Sequence, residues 1–446
     1  MRITVIALGA ALTVTSAAVA QERIVLTLDQ ALEIARRQNP EYRQALNQER
    51  AAGAQVNAGL GAFLPTLSAR TSFAGASSRT VTGENDFGQA VSLPSAIDFE
   101  RSSASQAVGA SLTLFDGLSN LNTLRSARES EERFSAGSEA ALIRTEAETK
   151  RRFYDALRTG QLVELEERLL TQAREQLAAT ERLFRAAGAT QEDVLGAQAD
   201  VAGQELALAR AAGEAEKAKL LLKEYLGITE AIEFDVKGEL RGVLDPSELD
   251  DQALLARALA NHPSVVALDA AANAAASSAT AARGARWPTI GVNASFGRSM
   301  SLSSYDALFK LNPQNRSFSF GVDLTWPLFT GFATSAQIAN ADLQARNAEE
   351  QLVAGRLSVE RAVKSALIDV RNAHRALELA RQSAALSVER LRLARERYAV
   401  AAITFPNLQL LTTQAASAER QLLQAEFDLA RAAATLEEAV GGPIGR

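Results

Sequence analysis

The sequence predicts an α+β membrane protein that is internally duplicated: a long antiparallel α-helical barrel, plus four β-strands per chain in a shared barrel. Three observations support this prediction: proline-free helical tracts, strands with alternating apolar and polar residues, and repeated motifs. From Leu118 to Leu226 the chain has no proline, is rich in Ala, Leu, Glu and Arg, and is interrupted once, by the small residues 186–190. Such residues lose little freedom in a helix, so two helices folded back at 186–190 are predicted. The first would be about 100 Å long.

The first 20 residues predict a secretory signal peptide. Arg2 precedes an apolar segment that ends in Ala18-Val19-Ala20, an A-x-A cleavage site. We therefore expect the mature chain to leave the cytoplasm.

The sequence has no cysteine, which excludes disulfides, thiolate metal sites and a lipid on cysteine. No later apolar run approaches the roughly 20 residues of a helical membrane span, and the mixed charges, net −6, indicate no nucleic-acid partner.

Short motifs shared by the two halves indicate an internal duplication. Pro65 and Pro288, each followed by threonine, open the predicted strand pairs 64–117 and 288–331. The other matching motifs are Asn39-Pro40 with His262-Pro263, Leu114-Phe115-Asp116-Gly117 with Leu328-Phe329-Thr330-Gly331, and Ala209-Arg210-Ala211-Ala212 with Ala430-Arg431-Ala432-Ala433. Each half predicts a helix, a strand pair and a long helical hairpin. The predicted divisions are a signal peptide at 1–20, a first repeat at 21–234, a linker at 235–249 and a second repeat at 250–446.

Alternating patterns predict four strands of about ten residues. From Ser317 to Trp326 one face is apolar and the other small or polar, and residues 107–114 alternate in the same way. Residues 67–75 and 290–297 give weaker versions. Strands of this kind fit a membrane barrel with lipid outside and water inside. By pattern alone they fit one face of a soluble β-sandwich equally well.

Three features favour the membrane barrel. Trp287 and Trp326 lie where strands meet helices, as membrane-interface aromatics do. The polar segments 77–105 and 301–316 join the strands as extracellular loops would, and the chain is exported. Four strands leave open edges, which cannot face hydrocarbon. Two copies would form an eight-stranded barrel whose interior is filled by side chains, whereas three copies would form a twelve-stranded barrel with a lumen. The alanine-rich helices suit close packing in a curved wall and favour three copies.

The chain resembles the TolC-like outer-membrane efflux protein family over essentially the whole mature sequence. The resemblance lies in the order of several motifs, which are Leu26-Thr27-Leu28-Asp29-Gln30-Ala31-Leu32, Asn39-Pro40, Leu64-Pro65-Thr66-Leu67, Asp193-Val194-Leu195-Gly196-Ala197-Gln198 and Leu328-Phe329-Thr330-Gly331. It implies a homotrimeric channel-tunnel, with a 12-stranded transmembrane β-barrel in outer-membrane lipid that continues as an α-helical barrel across the periplasm. The implied partners are a periplasmic adaptor (membrane fusion) protein and an inner-membrane pump of RND or ABC type.

The resemblance also places a gate at the two helix hinges. The first hinge is the small-residue segment 186–190, and the second follows Glu396-Arg397. Asp193 occupies the family's acidic position after the first hinge, and Tyr398 its tyrosine before the second. One hypothesis is a Tyr398–Asp193 hydrogen bond that holds the pore shut. The alternative is that Thr190 and Asp193 form the capping box of the returning helix. The acidic pore positions of some members correspond here to Asn407 and Leu410, which predict a narrower, more neutral ring.

No catalytic constellation is evident. The two histidines, His262 and His374, are expected to be packed or solvated, and we find no nucleophile–base pair, phosphate loop or metal-ligand spacing. The prediction is a passive exit duct without enzyme activity or cofactor, whose cargo is drugs, metal ions or a secreted polypeptide. A structural or adhesive trimeric coiled-coil envelope protein is the alternative, which predicts unbroken heptads and no strand pairs. A simple diffusion porin would leave the long helices without a purpose.

Overall fold

The computed structural model describes residues 24–79, 87, 98–230, 233–238, 240, 246–302, 315–400 and 402–444. The predicted signal peptide, residues 1–20, lies outside them. The described helices are α1 (Leu28–Gln38), α2 (Pro40–Gly61), α3 (Ser119–Arg185), α4 (Gln191–Leu226), α5 (Asp251–Asn261), α6 (Pro263–Arg283), α7 (Ala333–Ala399) and α8 (Phe405–Val440). The described strands are β1 (Ile24–Leu26), β2 (Thr66–Arg79), β3 (Asp98–Phe115), β4 (Phe234–Val236), β5 (Thr289–Leu302) and β6 (Asn315–Thr325).

The same order of helices and strands occurs twice. The helices α3 and α7 contain 67 residues each, and α4 and α8 contain 36 each. The division into repeats at 21–234 and 250–446 stays a prediction. The predicted linker, 235–249, contains the end of β4 and a 3₁₀ turn at Pro246–Glu248. None of the described helices is both long and apolar enough to cross a bilayer.

The short helices of each half are joined at one capping residue. Asn39 ends α1 directly before Pro40, and its side-chain amide donates to the Tyr225 carbonyl at 2.7 Å. His262 ends α5, and its Nδ1 accepts from the Ser264 amide at 3.1 Å at the start of α6. Because proline cannot donate a backbone hydrogen bond, the position after each cap suits it.

Four antiparallel strands form one sheet in the order β2-β3-β5-β6. The strands are longer than predicted, since β2 reaches Arg79 and pairs there with Asp98 of β3. The expectation of loops over all of 77–105 and 301–316 is therefore wrong at the ends of these segments. Polar side chains break the alternating pattern there, but the backbone ladder does not depend on side-chain polarity and continues.

A second, parallel sheet pairs β1 with β4. Neither strand was predictable from sequence, because three residues are too few to show alternation. Leu26 of β1 and Phe234 of β4 are buried in one apolar cluster with Phe153 and Phe427. The two strands are therefore held by core packing as well as by backbone hydrogen bonds.

The chain divides into two compact units, and each takes segments from both halves. The first comprises Met1–Pro40, Arg144–Leu249 and Ala366–Glu438, and the second comprises Glu41–Ile143, Asp250–Ser365 and Ala439–Arg446. The first unit contains the parallel sheet, both hinges and the cluster around Phe153. The second contains the four-stranded sheet, and its helices pack through small residues: Ser126 Oγ donates to the Ala274 carbonyl at 2.9 Å. Such contacts bring helix backbones close together.

Candidate functional site

The four-stranded sheet exposes an apolar face. On β6 this face carries Phe318, Phe320, Val322 and Leu324, whose side chains are between 62% and 72% exposed. The apolar face continues onto the neighbouring strand, since Phe296 of β5 lies opposite Phe318 of β6. Exposed apolar rows that run across several strands indicate a surface for another apolar phase or partner.

The opposite face carries small and hydroxyl side chains. Ser72 and Ser105 are hydrogen-bonded across β2 and β3 at 2.7 Å, and Ser295 and Ser319 across β5 and β6 at 2.8 Å. The same face holds a polar pair, in which the side-chain amide of Asn293 donates to the Asp323 carboxylate at 3.0 Å. This arrangement suits contact with water.

Both outer strands of the sheet have an unpaired edge within the described chain. β2 has 14 residues and β6 has 11, and neither pairs with another described strand on its outer side. Long edges beside an exposed apolar face are a template for pairing with a further strand.

Each strand pair passes into its long helix through a turn of two left-handed residues. These residues are Gly117 and Leu118 in the first turn and Gly331 and Phe332 in the second, with φ between 61° and 68°. Asp116 Oδ2 accepts from the Asn120 amide at 2.7 Å, and Thr330 Oγ1 accepts from the Thr334 amide at 3.3 Å. At each junction a polar side chain thus accepts a hydrogen bond from a backbone amide at the start of the helix.

Aromatic side chains are exposed at this junction. Trp287 is 61% exposed just before β5, and Trp326 is 57% exposed just after β6. The strand residues beside them, Thr289 and Thr325, are register partners, so both tryptophans lie at one end of the sheet. Trp326 Nε1 donates to the Arg286 carbonyl at 3.2 Å. Their role at a membrane interface stays a prediction.

The first hinge confirms the capping alternative. Thr190 Oγ1 accepts from the Asp193 amide at 3.2 Å, and Asp193 Oδ2 accepts from the Thr190 amide at 2.8 Å. The helix before the hinge ends with the Gly188 amide bonded to the Leu183 carbonyl at 2.8 Å and with Ala187 at φ 55°. This is a Schellman-type end in which the left-handed residue is alanine rather than the neighbouring glycine.

The predicted hydrogen bond between Tyr398 and Asp193 is not formed within the described chain. The Tyr398 hydroxyl lies 3.4 Å from Thr180 Oγ1, and the Asp193 carboxylate is occupied by Thr190. Tyr398 is 7% exposed, and its ring centroid lies 6.1 Å from that of Phe405. Hydrophobic packing, rather than a hydrogen bond to Asp193, holds this side chain.

The other two predicted gate residues lie on the first turns of α8. Asn407 is exposed, and Leu410 is 56% exposed. Between them Gln409 Nε2 donates to Asp200 Oδ1 of α4 at 2.6 Å. Burial raises the pKa of Asp200, and the hydrogen bond from Gln409 opposes that shift. Asp200 and Gln409 were not predictable from sequence, since only the packing of α4 against α8 brings them together.

Most of the chain matches one protein family in sequence. The outer membrane efflux protein family matches residues 31–228 and 254–442. The chain belongs to this family. As a member of the outer membrane efflux protein family it is an outer-membrane protein, and its relatives are channel proteins rather than enzymes.

Individual members of the family are similar in sequence or in structure. Protein CyaE of Bordetella pertussis is 27% identical over 351 residues, which cover 78% of this chain and 70% of CyaE. Outer membrane efflux protein BepC of Brucella suis is 31% identical over 215 residues, which cover 47% of this chain and 44% of BepC. The crystal structure of the CmeC outer membrane channel of Campylobacter jejuni has the same fold, with a TM-score of 0.77 at 15% identity over 93% of this chain and 85% of CmeC.

Proposed function

We propose that three copies of this chain close a twelve-stranded β-barrel in the outer membrane. The observation that carries the proposal is the four-stranded sheet with two unpaired edges, an exposed apolar face and a hydroxyl-lined opposite face. In hydrocarbon each unpaired backbone group costs several kcal/mol, so the edges must find partners in other copies. Twelve strands are enough to leave a lumen, whereas eight are filled by side chains.

The proposed function is an exit duct for export. The small and hydroxyl side chains around Ser72 and Ser295 would line the barrel lumen, and the long helices α3 and α7 would carry the duct into the periplasm. In a tripartite system a periplasmic adaptor and an inner-membrane pump of RND or ABC type would deliver small molecules, metal ions or a secreted polypeptide. Membership of an efflux family supports transport outward. Trp287 and Trp326 would mark the interface between barrel and periplasm.

The molar mass of the assembly tests this proposal. Protein extracted from outer membranes in mild detergent, with bound detergent subtracted, should have three times the mass of the mature chain. Multi-angle light scattering measures this directly. A mass of one chain would contradict the shared barrel, because four strands cannot close alone, and a mass of two would contradict the lumen.

We propose that the hinge ends of the helices gate the duct through side-chain packing, with Asn407 and Leu410 exposed toward the pore. Tyr398, Phe405, Leu408 and Ala197 belong to one buried cluster in which α4, α7 and α8 meet. Asp193 would act indirectly, by fixing the start of α4 through its capping box. Loosening this cluster should therefore open the duct.

Substitutions at Tyr398 separate packing from hydrogen bonding. Tyr398→Ala removes a buried aromatic ring, a change that costs about 3–5 kcal/mol in protein cores, and should raise the conductance of the trimer in planar bilayers several-fold. Tyr398→Phe keeps the ring and loses only the 3.4 Å contact with Thr180, so its conductance should stay near that of the wild type.

A matched control is Phe184→Ala, because this aromatic residue near the first hinge is 44% exposed and outside the cluster. We expect wild-type conductance from it. If Tyr398→Phe opened the channel as far as Tyr398→Ala, a hydrogen bond of the Tyr398 hydroxyl would be the gate element and the packing account would be wrong.

A further inference from the structure

One row of the apolar sheet face is basic. Arg298 of β5 and Arg316 of β6 are register partners. Side chains alternate along a strand, so both arginines share a face with Phe296 and Phe318, which lie two residues away. The row lies toward the end of the sheet that is remote from Trp287 and Trp326.

These two arginines lack a counter-charge among the described residues. Arg298 Nε donates to the side-chain oxygen of Gln106 on β3 at 2.8 Å, which leaves four guanidinium N–H groups free of that contact. Arg316 is exposed and has no hydrogen-bond or ion-pair partner within the described chain. Like charges directly opposite each other on neighbouring strands are destabilising unless an anion lies between them.

The neighbouring strands supply no carboxylate at this row. Glu100 of β3 lies six residues beyond Gln106, about 20 Å along a strand, which is out of reach. In the closed barrel that we propose, the outer edge of β6 meets a β2 strand of the next copy. The β2 sequence, TLSARTSFAGASSR, has no acidic residue. Within the described part of the chain, no anion therefore faces this row.

The spacing from the tryptophan end places this row at the far membrane interface. Arg316 and Trp326 are ten positions apart, about 34 Å along an extended strand. A strand tilt of about 40° reduces this to about 26 Å across the membrane, which equals the apolar band of about 25 Å in outer-membrane barrels. With the helices in the periplasm, the arginines lie at the headgroups of the outer leaflet.

We propose that Arg298 and Arg316 form a binding site for the phosphate group of an outer-leaflet lipid, with three such sites on the trimer. Guanidinium groups bind phosphate through two parallel hydrogen bonds. Register partners have Cα atoms about 4.5–5.5 Å apart, so both side chains reach one phosphate, and the Gln106 contact orients Arg298 toward it. The inference rests on the proposed barrel and adds a ligand to its lipid-facing surface.

Native mass spectrometry of the purified trimer with added lipid A tests the site, since lipid A carries two phosphates. The wild type should bind up to three molecules per trimer. The double variant Arg298→Gln/Arg316→Gln should bind at least about tenfold more weakly, because it loses the charge-assisted hydrogen bonds to the phosphate. The matched control is Arg70→Gln, since Arg70 lies on the adjacent row but on the opposite face.

The outcomes separate the site from the barrel. Equal binding by the double variant, equal loss in Arg70→Gln, or equal binding of enzymatically dephosphorylated lipid A would each overturn the phosphate site while the trimer mass in the same spectra upholds the barrel. Binding of inorganic phosphate without any binding of lipid A would show a free-phosphate site and would also overturn it. A spectrum without trimers would instead reject the proposed barrel, and the lipid site with it.

Discussion

Phe320→Arg should abolish accumulation of the trimer in the outer membrane. Phe320 lies in the middle of the apolar rows of β6, 64% exposed and opposite Ala294. In the proposed barrel its side chain faces the lipid near the bilayer centre, where arginine costs about 2–4 kcal/mol. The substitution occurs three times per trimer, so the total penalty approaches the whole stability of many proteins. Quantitative immunoblotting of outer-membrane fractions measures the effect.

Ser319→Arg is the matched control for Phe320→Arg. Ser319 is the adjacent residue, but its hydroxyl pairs with that of Ser295 on the opposite face. We expect this variant to assemble at wild-type levels and to conduct less, because three arginines would project into the lumen. If both variants assembled equally well, the apolar face would not face lipid. The sheet would then belong to a soluble β-sandwich, the alternative that the alternating sequence pattern also fits.

The helical part of the fold was predictable from sequence because its signals are local. The absence of proline from Leu118 to Leu226, together with the small residues at 186–190, gives helix bounds within a few residues of those of α3 and α4. The strand cores were predictable for the same reason, since period-two alternation reports one exposed apolar face. Strand ends were not predictable, because the ladder continues through polar residues to Asp98.

The site was only partly predictable, since its contacts depend on how distant elements meet. The Thr190–Asp193 capping box joins residues only three positions apart, so it was predictable from sequence. The partner of Tyr398 depends on the rotation of α7 against α3 and α8, which no local sequence pattern encodes. In the structure Tyr398 contacts Thr180 and Phe405 instead of the predicted Asp193. The pairing of Arg298 with Arg316 likewise required the strand register.

Arg420→Ala should be among the most destabilising single substitutions in the helical region. Arg420 of α8 binds both carboxylate oxygens of Glu166 on α3, at 2.6 Å and 2.8 Å. The Glu166 side chain is 4% exposed and lies beside the cluster of Leu165, Leu169 and Ala416. The hydrogen bonds to Glu166 hold the pKa of Arg420 above its ordinary value, against the opposing effect of burial. Arg420 therefore stays charged at any pH near neutrality.

Removing Arg420 leaves a buried carboxylate without a partner, which costs about 3–5 kcal/mol. For a chain of this length that lowers the unfolding midpoint by about 3–5 °C, measured by circular dichroism on trimers at one fixed scan rate. Glu389→Gln is the control: its pair with Arg392 is 55% exposed on both sides, so the midpoint should hardly move. The double variant Glu166→Leu/Arg420→Leu should recover most of the loss, because apolar replacements leave no buried charge. A double variant as unstable as Arg420→Ala would show instead that the attraction between Glu166 and Arg420 stabilises the contact between α3 and α8. The loss in Arg420→Ala would then not come from leaving Glu166 buried without a partner.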